Sequence, residues 1–150
     1  MFVRRIVALL AAVSLAVACS DSKGPTFAQL NGREFSVTSI EGYPWPAQLA
    51  TDGRLHLVFV DGQLSMKGEC DTVMSKVLLH SGTLITDPSH AAHVGVGCEG
   101  HMLDVQDWQA QFYAAPMQLE LDGRSLTVTA TVDGKRVVIS LEEVAFVGIS

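Results

Sequence analysis

Apolar and polar residues alternate along most of the chain after residue 30. The alternating apolar sets are Leu55, Leu57, Phe59; Met117, Leu119, Leu121; Leu126, Val128, Ala130, Val132; and Val137, Ile139, Leu141. A period of two places each set on one face of a strand, so the pattern indicates sheets with one buried side. It predicts strands at residues 34–40, 54–60, 63–69, 73–80, 83–86, 117–121, 125–132 and 136–143.

Asp-Gly pairs separate several of these predicted strands. They are Asp52-Gly53, Asp61-Gly62, Asp122-Gly123 and Asp133-Gly134, and Asn31-Gly32 lies near the start of the pattern. Such pairs readily adopt the positive φ angles of tight hairpin turns. Since hairpins join neighbouring strands that run in opposite directions, the sequence predicts an antiparallel meander.

One segment, residues 99–115, has a helical period instead. Its apolar positions recur at spacings of three and four, and they are Met102, Val105, Trp108 (or Gln109) and Phe112. Asp104, Asp107 and Gln111 then point outward, and Pro116 stops the helix. The fold class is therefore mainly β (α+β). We expect a meander curled into a small open barrel-like sheet, with this single helix covering one end or edge.

The first 18 residues have the pattern of an export signal. Arg4 and Arg5 form a basic start, and an apolar run from Ile6 to Val17 follows. This run is shorter than the ~20 apolar residues that a membrane-spanning helix needs. Residues 1–18 are therefore predicted to be a signal peptide of the lipoprotein type, which directs the chain out of the cytoplasm.

Two processing outcomes are open at the bond before Cys19. Small residues followed by cysteine resemble a bacterial lipobox, in which the thiol receives a diacylglycerol, whereas Ala16-Val17-Ala18 also fits ordinary secretory cleavage. The chain has three cysteines, and an oxidising compartment tends to pair them. If Cys70 pairs with Cys98, lipidation of Cys19 accounts for the odd one. We expect a membrane anchor at Cys19, on the extracytoplasmic side of a bacterial cell envelope.

Charge and length set the remaining organisation. The 150-residue chain has a formal charge of −6, which becomes −8 without Arg4 and Arg5. With no Lys/Arg cluster, nucleic acid is not expected as a partner.

Residues 19–29 are interpreted as a flexible tether and residues 145–150 as a C-terminal tail, which leaves one domain at residues 30–144. We expect a monomer.

Several motifs together resemble a known family. They are Leu30-Asn31-Gly32-Arg33-Glu34-Phe35, Gly68-x-Cys70-Asp71, a cysteine about 28 residues further on, a helix, and Leu119-x-Leu121-Asp122-Gly123. Over residues 30–143 the chain resembles the META domain of HslJ-like envelope lipoproteins, as a divergent member. Phe35 stands where the family usually has Trp, and Val96-Gly97-Cys98 stands for Met-Ala-Cys. The resemblance implies a mainly β, barrel-like domain, exposure to the envelope and a role in stress tolerance, and it implies no reaction.

The candidate chemistry of the sequence is sparse. A Cys70–Cys98 disulfide is expected to stabilise the domain, while the alternative is a reactive cysteine activated by His80 or His101. His90-x-x-His93 followed by Cys98-x-x-His101 contains zinc-type ligands, but these spacings are no recognised zinc signature. The four are interpreted as a disulfide cysteine and exposed loop histidines. We expect no catalytic residues, no metal and no cofactor.

Tyr43-Pro44-Trp45-Pro46 is the remaining candidate site. The two prolines hold the backbone extended around Trp45, so its indole either fills the core of the domain or contacts a lipid or protein. The sequence thus predicts an exported, lipid-anchored, non-catalytic domain that binds an envelope protein or an apolar ligand. The alternatives are a small exported cysteine/histidine-dependent hydrolase or redox protein, a soluble secreted form, and a structural or stress-buffering component.

Overall fold

The chain forms an antiparallel β-barrel with one covering helix, in a computed structural model that describes residues 24–43 and 55–144. The strands are β1 (Arg33–Glu41), β2 (His56–Val60), β3 (Gln63–Lys67), β4 (Asp71–His80), β5 (Thr83–Thr86), β6 (Ala92–Gly95), β7 (Met117–Asp122), β8 (Ser125–Val132) and β9 (Lys135–Glu143). The helices are α1 (Phe27–Leu30), a 3-10 turn (Pro88–His90) and α2 (Met102–Ala114).

Eight strands close into the barrel, in the order β3-β2-β1-β9-β8-β7-β5-β4, and a β3–β4 pairing completes the ring. All the pairings between described strands are antiparallel, and β1 pairs with β9, the last described strand of the chain, from Phe35↔Glu143 to Glu41↔Val138. The β5–β7 seam is short, with the pairs Thr83↔Gln118 and Leu84↔Met117. The predicted mainly β, barrel-like meander with one covering helix is confirmed, and the sheet is closed.

Two of the predicted Asp-Gly pairs form tight turns with two positive φ angles, whereas Asp122 is the last residue of β7 and only Gly123 of that pair has a positive φ. Asp61 and Gly62 have φ angles of 49° and 78°, and Asp133 and Gly134 have φ angles of 49° and 73°. Two successive positive φ values match the twist of the flanking strands, which is why this dipeptide favours hairpins. Asp52-Gly53 lies outside the described residues.

Alternate residues of the strands fill the barrel interior. The fully buried side chains include Phe35, Leu57, Phe59, Leu64, Met66, Leu84, Met117, Leu119, Leu126 and Val128. Six of them, namely Leu57, Phe59, Met117, Leu119, Leu126 and Val128, are apolar positions of the period-two pattern, so burial on one face produced that signal. The interior is a packed core at the described positions.

Helix α2 covers the barrel and contributes three buried aromatic side chains. Trp108 stacks on Phe112 with ring centroids 5.3 Å apart, and Tyr113 lies fully inside. The predicted span of 99–115 is slightly long, because Gly100 has a φ of +60° that an α-helix excludes. Within residues 24–43 and 55–144, no helix is long and apolar enough to cross a membrane.

The segment before β1 is packed on the barrel, which corrects the tether prediction for residues 24–29. Leu30 is fully buried, and the ring of Phe27 lies edge-on to Phe59 at 6.4 Å. The Thr26 N–H donates to Oε1 of Gln29 at 2.8 Å, which closes the first turn of α1. Since these apolar residues gain burial by docking, α1 is part of the packed domain.

Arg33 fastens this end of the barrel. Its Nη2 lies 2.8 Å from Oε2 of Glu143 on β9 and donates to the Gly123 carbonyl at 2.7 Å. The guanidinium also lies 4.8 Å from the ring centroid of Phe35. The hydrogen bonds from Arg33 hold the pKa of Glu143 below its ordinary range. One side chain therefore links β1, β9 and the β7–β8 turn.

Candidate functional site

Strand β6 is an exposed strand at the edge of the sheet. Its residues pair with β4 in the register Asp71↔Gly95 to Met74↔Ala92. Among the described residues, β6 pairs with no other strand, so its second edge is open. All four of its residues are exposed. An open strand edge presents unpaired N–H and C=O groups to any extended chain that approaches it.

The Cys70–Cys98 disulfide holds this strand at its C-terminal end, beside the Asp71↔Gly95 pair. The two Cα atoms are 5.3 Å apart, and the bond joins the residue before β4 to a residue just after β6. A Cβ at Gly95 would overlap the carbonyl oxygen of Cys70, so the close approach of β6 to the bridge requires glycine there. The cysteine pair predicted from the sequence lies at disulfide distance.

Asp71 connects β6 to α2 beside the disulfide. Its Oδ2 accepts from Gln106 Nε2 at 3.0 Å and lies 3.1 Å from Nδ1 of His93. Burial of Asp71 raises its pKa, but the hydrogen bonds from His93 and Gln106 outweigh this and hold the pKa below its ordinary range. The Asp71 carboxylate therefore contacts His93 of β6 and Gln106 of α2, and these two contacts hold the edge strand in place.

Two apolar side chains mark the surface of the edge segment. Val94 is 57 % exposed, and Val96, one residue beyond the strand, is 98 % exposed. Next to β6, a groove of about 450 Å³ lies between β4 and the 3-10 turn. Its lining includes Met74, Lys76, Asp87, His90 and Ala92. The surface therefore combines an unpaired strand edge with two exposed valines, which are the groups that an extended peptide contacts when it adds a strand to a sheet.

The four sequence-predicted histidine and cysteine positions do not converge. His90 pairs with Asp87 at 2.6 Å within the 3-10 turn, whereas His93 lies on β6 and not in a loop. Cys98 is joined to Cys70. No group of three or more His, Cys, Asp or Glu side chains that could hold a metal ion occurs in the described ranges.

Two predicted site residues, the lipidation residue Cys19 and the contact residue Trp45, lie outside the described residues. Tyr43, two residues before Trp45, is described, and the centroid of its ring lies 4.2 Å from that of Trp108. Burial raises the pKa of Tyr43 to about 12, with the charge of Asp104 as a second cause. The aromatic contact shows that residue 43 packs on α2.

Sequence reasoning missed strand β6. Hydrophobic periodicity detects a strand that buries one face, and β6 has all four residues exposed. The sequence contains one signal for this strand, the alternation His-Val-Gly-Val at residues 93–96. Four residues are too few to distinguish an alternating strand from a loop.

Comparison with known proteins supports the fold. No protein-family model matches the chain, and no curated protein matches it in sequence. A solved protein from Burkholderia xenovorans, determined by NMR, is similar with a TM-score of 0.57 and 8% identity, over 79% of this chain and 86% of that one. A second NMR structure is similar with a TM-score of 0.55 and 16% identity, over 79% of this chain and 94% of the other.

Proposed function

We propose that this chain is an exported cell-envelope protein, anchored by lipid at Cys19, whose domain binds a partner protein without catalysis. The observation that carries the binding role is the exposed edge strand β6, which is held by a disulfide and by Asp71. The basic start, apolar run and Cys19 support the anchor. The resemblance to META domains supports a role in envelope stress tolerance.

The edge strand supports a protein partner over an apolar small molecule. Natural sheets protect free edges by keeping the edge strand short or with Lys, Pro or a covering segment. β6 is short, with four residues, but it contains no Lys or Pro and carries Val94 outward. The barrel interior, by contrast, is occupied by the side chains of the core, such as Phe35 and Phe112. The partner would contribute an extended segment that adds a strand to β6.

The competing hydrolase proposal has less support. Its nucleophile would be Cys98, and a cysteine in a disulfide has no thiolate to attack a substrate. His101, the histidine nearest to it in sequence, is exposed at the start of α2. We therefore carry the binding function forward.

Photo-crosslinking in living cells tests the binding role. A photoreactive amino acid is placed at Val94 or Val96 of the full-length chain, and at Val138 on the outer face of β9 as the control. We expect a protein adduct at positions 94 and 96 and none at 138. Equal labelling at all three positions, or no protein adduct at 94 and 96, would contradict binding at β6.

A further inference from the structure

A second exposed apolar surface lies on the β4–β5 hairpin, away from the free edge of β6. Leu78 and Ile85 are direct cross-strand partners, and they are 74 % and 50 % exposed. Both point outward, and they line a groove of about 250 Å³ with Lys76 at its border. We name Lys76, Leu78 and Ile85 the hairpin patch.

The packing of the first described residue places the start of the domain beside this hairpin. A Cβ on Gly24 would overlap the Cα of Gly82, which forms the β4–β5 turn, and would lie 2.9 Å from the Leu119 carbonyl oxygen. The two backbones therefore touch, and the requirement for glycine at residue 24 follows from this contact. The chain enters the domain at the tip of the β4–β5 hairpin.

The covalent chain limits how far the hairpin can be from Cys19. Gly24 follows Cys19 by five residues, and five residues span at most about 18 Å when fully extended. Ile85 lies three residues after Gly82, which is about 10 Å along β5. If Cys19 carries acyl chains in a bilayer, the hairpin patch lies within reach of the lipid surface.

We propose that the hairpin patch is the membrane-facing surface of the domain, with Leu78 and Ile85 in contact with the bilayer interface. The inference rests on the proposed lipid anchor. Two apolar side chains are a small contact, but the anchor makes the encounter intramolecular and raises the effective concentration of lipid at the patch. The contact is thus expected for the anchored protein and not for an anchorless domain added to vesicles.

The charges near the patch suit a phospholipid surface. Lys76 can lay its aliphatic stem along the apolar residues and place its ammonium group among the phosphates. Asp87, the carboxylate that lines the same groove, is 2.6 Å from the His90 ring and so is paired. For an acidic domain of formal charge −8, this side offers a cation without an unpaired carboxylate in the groove.

The orientation also leaves the proposed partner site accessible. Thr72, the β4 partner of Val94, is six residues before Leu78, which corresponds to about 20 Å along the strand. Leu78 and the Val94 end of β6 are therefore separated along β4, and Lys76 lies between them and lines both grooves. With Leu78 and Ile85 on the membrane, Val94 stays outside the proposed lipid contact.

Photolabelling of lipids in vesicles tests the inference. Mature protein purified from membranes, with a diazirine amino acid at Leu78, Ile85 or Val138, is reconstituted into phosphatidylethanolamine/phosphatidylglycerol vesicles and irradiated. Val138 is the matched control because β9 is four strands from β4 in either direction around the barrel. We expect at least five-fold more lipid adduct at positions 78 and 85 than at 138. The same variants of the soluble exported form of Cys19→Ala, added to the same vesicles, should give none.

The outcomes separate this inference from the function on which it rests. The mass of the N-terminal peptide is measured on the same preparation. If acyl chains are present and labelling is equal at the three positions, or if positions 78 and 85 label protein and not lipid, the membrane-facing patch is wrong and the anchor stands. If the peptide carries no acyl chain, the anchor and the inference both fail.

Discussion

The two tyrosines of the chain occupy contrasting environments. The Tyr113 hydroxyl donates to the Leu64 carbonyl at 2.7 Å and lies 2.9 Å from Oγ of Ser75, whereas the buried Tyr43 hydroxyl finds no hydrogen-bond partner in the described part of the chain. The Tyr113 bonds join α2 to β3 and β4 inside the barrel. A satisfied buried hydroxyl specifies how the helix docks, and the Tyr43 hydroxyl does not.

The first prediction compares these hydroxyls. Tyr113→Phe should lower the free energy of unfolding by about 1–2 kcal/mol, because the variant loses two buried hydrogen bonds. Tyr43→Phe is the matched control and should change it by less than about 0.5 kcal/mol. Urea unfolding measures both. Equal losses in the two variants would contradict the assignment of the hydrogen bonds to Tyr113.

The second prediction concerns Asp71 and acid. Its pKa in the folded protein is below the ordinary value, so the folded state favours the carboxylate, and its contribution to stability is present above about pH 4. That contribution should disappear as the pH falls through the folded pKa. The gap in free energy of unfolding between the wild type and Asp71→Asn should therefore be largest near neutral pH and shrink below about pH 4. A difference in free energy of unfolding that does not change with pH would show that the charge of the Asp71 carboxylate does not stabilise the folded protein.

A third prediction follows from Tyr43 in alkali. Its pKa is raised to about 12, so the folded protein retains a proton that the unfolded chain releases near pH 10. The free energy of unfolding should fall as the pH rises from 10 toward 12. Ultraviolet absorbance should show tyrosinate forming above pH 10 in the folded protein. Tyrosinate formation at the ordinary pH for both residues would contradict their burial.

At the residue scale, the sequence predicts core positions better than contacts. Phe112 and Trp108 were identified because an amphipathic helix repeats its apolar face. Tyr113 was missed because it lies beside that face, and its burial depends on the Leu64 carbonyl and Ser75, which are distant in the chain. Asp71 was recognised as part of a motif, but its partners His93 and Gln106 come from two other elements.

At the element scale, a strand can be predicted from hydrophobic periodicity only if it buries one of its faces. Eight strands bury one face each and were predicted, whereas the fully exposed β6 was not. The short helix α1 was interpreted as part of a tether, since four residues carry too little periodicity to distinguish a docked turn. Closure of the barrel through β5–β7 rests on two residue pairs, which sequence spacing does not encode.

The fourth prediction concerns the attachment of β6. The disulfide spans 28 residues in sequence, so replacing both Cys70 and Cys98 by Ser should cost about 3.6 kcal/mol through loop entropy. The amides of β6 should then exchange hydrogen faster, while those of β8 and β9 in the closed barrel change only with global stability. Exchange at β6 that matches the wild type would show that β4 alone holds the strand.

The fifth prediction addresses binding through the edge. Val94→Lys and Val96→Lys place charges of the kind that protect natural strand edges, and both sites are exposed. Neither change should alter the melting temperature, and each should reduce co-purification of the partner about ten-fold. Val60→Lys is the matched control because Val60 is an exposed valine at the end of β2. Equal loss with all three variants would assign the effect to charge alone.

At the scale of the whole molecule, the barrel has two exposed surfaces along β4, and Lys76 lines the grooves of both. The free edge of β6 is the proposed site for a partner protein, and the hairpin patch of Lys76, Leu78 and Ile85 lies beside the entry of the chain at Gly24. The sequence predicts the export signal and the barrel, but the positions of these surfaces depend on the pairing of β5 and β6 with β4, and the place of chain entry depends on the packing of Gly24 on Gly82. The proposed roles, partner binding at β6 and membrane contact at the hairpin patch, are both roles of a protein anchored to the membrane through Cys19.

The most direct test is the mass of the N-terminal peptide of the mature protein, purified from membranes. The account predicts a chain that begins at Cys19 and carries a thioether-linked diacylglycerol. Conversely, Cys19→Ala should give an uncleaved precursor or a soluble exported form, and the wild type should partition into detergent. A mature wild-type protein that is wholly soluble and has an unmodified N-terminus would contradict the lipid anchor and would leave ordinary secretion as the route of export.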